Sequence, residues 1–171
     1  MSPKLCLTLG AVFGFLAVLL GAFGAHGLGE GGKAEDGSRT PGYLEQKYAD
    51  TEDKNVAGLS IPVSHKYLED FRTGVRYHMW HAIAMLITGL VMLRQPSRLL
   101  SAAAWCFAAG IVLFSGALYV LVICGPKAGG ITWGLVAPLG GTLQLIAWLM
   151  LAIGVARADF SPVGDSRPPT A

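Results

Sequence analysis

The chain has 171 residues, of which 53% are hydrophobic and only 14% charged, where a soluble domain carries about a quarter charged. The charge is also uneven, because 16 of the 24 charged residues lie between Glu30 and Arg76. This pattern excludes an ordinary soluble enzyme, a disulfide scaffold and a disordered chain, and a net charge of +2 is too small to argue for a nucleic-acid partner.

Four uncharged runs follow in chain order, with spans expected at about residues 5–25, 77–93, 99–124 and 131–156. A helix needs about 20 apolar residues to cross the hydrocarbon core. The second run is short, but its helix can begin earlier and leave Arg76 and Tyr77 among the headgroups. No alternating barrel pattern is present, so helices are the expected spanning form. The first run also has a signal-peptide alternative, with Lys4 as a minimal basic region and small residues near Ala25. Its length favours a retained helix. So does a stripe of small residues, Gly10, Gly14, Ala17, Gly21 and Gly24, at steps of three and four. Such a stripe lets another helix approach closely.

Residues 29–59 are polar and read as a long mobile loop. Ser64 then suits an N-cap, with Val63 and Leu68 as a hydrophobic staple. Leu68, Phe71, Val75 and His78 recur at helical spacing, which predicts a short amphipathic stretch at the interface leading into the second span, with a bend at Gly74. Turns are expected at 95–97 and 126–130, so neighbouring helices run antiparallel. The prolines of 157–171 predict a disordered tail. Cys6, Cys106 and Cys124 lack a CxxC pattern and read as small buried hydrophobes. The fold class is therefore all-α: an integral membrane bundle of four helices with an interfacial helix before the second span. Basic residues near the span ends almost balance across the two faces. The two arginines of the 94–98 turn tilt both termini to the cytoplasm of a bacterial plasma membrane.

With that topology, His26, Arg76, His78, His81, Ser115, Tyr119 and Pro138 collect on the side of the bundle that carries the long loop. An ionisable residue inside a membrane helix is a functional candidate, and the plainer alternative is headgroup contact and an aromatic belt. Three sharper readings stand beside it. His78 and His81 could share a metal with His26 or Asp70. His26 and His81 could ligate a haem. His81, Tyr119 and Ser115 could handle protons or small solutes, with Pro138 breaking the last helix. No HExxH motif, Ser-His-Asp arrangement or phosphate loop is evident, so neither cofactor nor metal is assigned and no enzyme activity is expected.

Residues 20–28 read LGAFGAHGL, 73–82 TGVRYHMWHA, 113–119 LFSGALY and 137–141 APLGG. In order and spacing these four blocks resemble the domain-of-unknown-function family 423, the YgdD-type small membrane proteins related to the transmembrane protein 256 family. The resemblance implies a four-span membrane protein and supplies no activity. The chain departs from the family pattern in roughly thirty extra residues within 29–59, and in His78, where family patterns often carry Gln. The expected role is structural or accessory, with the lipid bilayer and either a second copy or another membrane protein as partners. A small-solute or proton-linked transporter is the alternative.

Overall fold

The computed structural model describes residues 1–158 except Glu30 and Ala34. The described chain is mostly helical. α1 spans Pro3–His26, α2 Tyr43–Lys47, α3 Val63–Arg94, α4 Arg98–Cys124 and α5 Trp133–Ala156, with a 3-10 turn at Ala128–Gly130. Three helices, α1, α4 and α5, are long and apolar enough to cross a membrane. α3 is longer still at 32 residues, about 48 Å of helix, but its first half carries the charges.

The four long helices pack as a chain of neighbours, α1 on α3, α3 on α4, and α4 on α5. Their directions alternate. The Met1 amine reaches Ser101 Oγ at the start of α4, and Gln95 Nε2 donates to the Arg157 carbonyl at 3.5 Å. The N-terminus, the 95–97 turn and the end of α5 therefore share one end, and the 27–61 segment lies at the other. Between them sit two buried clusters. Near the termini, Cys6, Met85, Leu100, Phe107, Ile111 and Leu151 form a closed apolar core. Near the loop, Leu28, Leu44, Tyr67, Phe71, Leu121 and Val122 form the second.

The outer faces are apolar as well. Phe15, Trp80, Leu135 and Leu145 are 67%, 63%, 72% and 73% exposed. Apolar exposure on this scale, around the whole perimeter, is what a helix presents to lipid tails rather than to water.

Two sequence expectations change, those for Ser64 and for the cysteines. Ser64 is not the N-cap: Pro62 occupies that position, and the Lys66 N–H already donates to the Pro62 carbonyl at 3.2 Å. The helix thus begins before Ser64, which is buried within its first turn. Gly74 lies inside α3, which is helical from Val63 to Arg94. Gly74 is also a contact, since a Cβ there would stand 2.9 Å from the Tyr119 ring. Of the three free cysteines, Cys6 is buried, Cys106 is half-buried and Cys124 is exposed, because Cys124 ends α4 beside the Gly125 turn.

The 27–61 segment has structure of its own. It holds α2, the hairpin of β1 (Lys54–Val56) and β2 (Leu59–Ile61), with Asn55 opposite Ser60, and a bridge between Lys33 and Arg39. Leu28 and Leu44 are each 2% exposed. The Tyr48 hydroxyl donates to the Val122 carbonyl at 3.0 Å, and Lys47 Nζ donates to the Ile123 carbonyl. The last carbonyls of a helix lack intrahelical partners, so the loop caps the end of α4 while burying its own apolar side chains. The tail expected over 157–171 lies almost wholly outside the described residues.

Candidate functional site

α3 carries two histidines three residues apart, about 60° around the helix, and its neighbours divide them. His78 is 4% exposed. Its ring meets Phe13 of α1 edge-on, with centroids 5.6 Å apart, and a 3.2 Å hydrogen bond joins Nδ1 to the Tyr119 hydroxyl of α4. Its Nε2 is buried without a partner. Ser115 lies one turn before Tyr119 and is fully buried. Its Oγ sits close to the phenol but makes no hydrogen bond of normal geometry. His78, Tyr119 and Ser115 thus form a polar island where α1, α3 and α4 meet.

His81 turns toward the α4–α5 side instead. Its Nδ1–H donates to the Tyr77 carbonyl at 2.6 Å, which fixes the ring and leaves Nε2 as its acceptor. The ring lies 5.8 Å from Phe107 of α4 and 6.3 Å from Trp148 of α5. It borders a cleft of about 450 Å³ lined also by Tyr77, Phe114, Pro138, Gln144 and Trp148. A second hollow, sharing Tyr77, His81 and Trp148, continues to Arg76 and Trp80.

The remaining sequence candidates take these places. Pro138 is exposed and on the cleft wall, and α5 continues through it. Arg76 is exposed and borders two hollows, one with His81 and one with Gly21 and Gly24 of α1. His26 is exposed at the end of α1. The seven residues therefore divide into a buried island, a cleft and an outer rim. Among the described residues, no three histidine, cysteine, aspartate or glutamate side chains gather as metal ligands.

The small residues of α1 face α3. A Cβ on Gly24 would stand 2.8 Å from the Phe71 ring, one on Gly10 3.0 Å from Leu86, and one on Gly21 3.3 Å from Val75. Ala17 is 1% exposed. Gly14 alone has open space beyond it.

Sequence reasoning passed over Gln144, the strangest group in the site. It is 3% exposed, and both its amide oxygen and its amide nitrogen are buried without a partner among the described residues. A signal for it exists. Ala137, Gly140, Gln144, Ala147, Leu151 and Gly154 recur at steps of three and four and are the buried residues of α5. That seam of small side chains faces α4, where a Cβ on Gly110 would stand 2.7 Å from Gln144 Cγ. An amide on such a seam is forced inward.

Long apolar helices with lipid-like outer faces and neutral polar groups inside define an integral membrane protein. The model of a family described as "protein of unknown function (DUF423)" matches residues 20–141. The UPF0382 membrane protein YwdK of Bacillus subtilis is 33% identical over 155 residues, covering 90% of this chain and 98% of the relative. A UPF0382 membrane protein of Haemophilus influenzae is 37% identical over 149 residues, with coverage of 86% and 90%. The UPF0382 inner membrane protein YgdD of Escherichia coli is 29% identical over 157 residues, with coverage of 92% and 93%. The chain belongs to the DUF423 family of membrane proteins, whose function is unknown and to which no enzymatic activity is attached. No solved structure matches it.

Proposed function

We propose that this chain crosses the bacterial plasma membrane four times, as a bundle, and serves there as a structural or accessory component rather than as an enzyme or a carrier. α1, α4 and α5 cross directly. α3 crosses with its second half, while its charged first turns lie along the interface on the side of the 29–59 segment. Both termini face the cytoplasm. The extra residues of that segment are a feature of this chain that caps the bundle.

The observation that carries the non-transport reading is the closed apolar core near the termini, where Cys6, Met85 and Phe107 are fully buried. A permeation path needs polar or hydrated lining through the full thickness, and the polar island of His78, Tyr119 and Ser115 stops at this core. Gly14, whose added Cβ would meet no atom of the described residues within 4 Å, leaves room for a second copy or another membrane helix against α1. The island itself favours a second reading, proton-linked or small-solute transport from the loop side. Proteoliposomes holding a trapped pH dye separate the two. An imposed gradient should decay no faster than in protein-free vesicles. A faster decay that disappears with His78→Ala or Tyr119→Phe would establish transport instead.

A further inference from the structure

The cleft between α3 and α5 lies deep in the helices. His81 is 13 residues from the end of α3 and Gln144 is 12 from the end of α5, so both stand about 18–20 Å from the terminal end. This is far enough inside to be near the middle of a bilayer about 30 Å thick. The cleft opens sideways past Leu145, which is 73% exposed. What reaches it is therefore membrane-soluble. Among the described residues no charged side chain lines the cleft itself, and Arg76 borders only the adjoining hollow, so the cleft proper suits a neutral molecule. Rings line the cleft: Tyr77 and Phe114, tilted by 37° with centroids 4.9 Å apart, and Trp148, edge-on to the His81 ring at 6.3 Å. Flat walls suit a flat ligand, and the volume falls within the usual range for small-molecule sites.

The polar groups narrow the class further. His81 Nε2 needs a donor. Gln144 lines the cleft, and its amide donor and acceptor are both buried and, among the described residues, unpartnered; a turn of the side chain into the cleft would bring the amide to a bound partner and relieve a costly state. An acyl chain supplies neither, and an ester carbonyl only accepts. A ring hydroxyl both donates and accepts. We propose that the cleft binds the head of a lipophilic hydroquinone, with one ring hydroxyl serving His81 Nε2 and another the Gln144 amide. The proposal rests on α3 and α5 both crossing the membrane, which labelling of the loop and the 94–98 turn tests separately.

The test is equilibrium binding of tritiated 2-decyl-1,4-hydroquinone to the full chain in nanodiscs, under anaerobic reducing conditions. Saturable binding of one molecule per chain is expected, at least tenfold weaker in Gln144→Leu and in Leu145→Trp. The second substitution narrows the mouth from the lipid side without touching the buried seam, so it remains informative if Gln144→Leu folds poorly. The dimethyl ether, which keeps the ring but cannot donate, should fail to compete. Uptake no greater than by empty nanodiscs would overturn the proposal. So would equal competition by the dimethyl ether or by a diacylglycerol, or unchanged binding in Leu145→Trp.

Discussion

At the scale of single residues, close backbone approach decides which glycines matter. A Cβ on Gly140 would stand 2.3 Å from the Phe114 nitrogen of α4. Backbone cannot swing aside as a side chain can, so Gly140→Ala must push α4 and α5 apart. We expect it to lower stability by about 1–3 kcal/mol, the usual cost of overpacking, as read by unfolding in denaturing detergent. Gly14→Ala has open space and should change stability by less than about 0.5 kcal/mol. Equal effects at both sites would contradict the packing described. Tyr119→Phe removes the hydrogen bond between His78 Nδ1 and the Tyr119 hydroxyl and leaves that buried nitrogen without it. The expected loss is about 1–3 kcal/mol in the same assay. An unchanged midpoint would mean that water or lipid already serves the site.

The sequence shows the stripe of α1 because its glycines repeat openly. It shows the seam of α5 less plainly, because Leu151 and Gln144 interrupt the small residues. The separation of His78 from His81 is not readable from spacing. Three residues on a helix are near enough to suggest one site, and only the placement of α1 and α5 on opposite sides of α3 sends the two rings apart.

At the scale of elements, the 27–61 segment is the part least legible in the sequence. Its glycines and charges predict a mobile loop, yet Leu44 of α2 and Tyr48 at its C-cap pack against the cluster of Tyr67 and Val122. Composition averages over such a pair, and a five-residue helix is too short to register as a periodic pattern. Tyr48→Phe should therefore speed hydrogen exchange over residues 43–48 while α3 stays protected. Equal exchange in both proteins would mean that the loop is not held by the α4 carbonyl.

This element also carries a pH dependence. The Glu45 carboxylate accepts from the Gly42 N–H at 2.9 Å and pairs with Arg39 at 2.7 Å. The Gly42 N–H first, then Arg39, hold its carboxyl below the ordinary 4.5. A depressed carboxyl stabilises the folded loop above pH 4.5, and that contribution is lost as pH falls through the lowered folded value. Exchange over 42–48, corrected for its intrinsic pH dependence, should be slow at pH 6 and quicken at pH 3. Glu45→Gln should be fast at both. A wild-type loop as protected at pH 3 as at pH 6 would exclude this role.

At the scale of the whole molecule, α3 decides the architecture. Runs one, three and four appear in the sequence as uninterrupted hydrophobicity and recur as α1, α4 and α5. The second run, 77–93, is the weakest of the four in the sequence and lies in the second half of α3, where His78 and His81 lower its hydropathy while facing neighbouring helices. Whether it crosses determines whether the loop and the 94–98 turn lie on opposite sides. With Cys6, Cys106 and Cys124 replaced by alanine, single cysteines at Ser38, Lys127 and Arg98 answer this through an impermeant thiol reagent applied to intact cells. Ser38→Cys and Lys127→Cys should react, and Arg98→Cys only after permeabilisation. The mirror result would keep four spans and reverse the orientation proposed here. Ser38→Cys and Arg98→Cys reacting from the same side would show that α3 does not cross, and would contradict the four-span bundle.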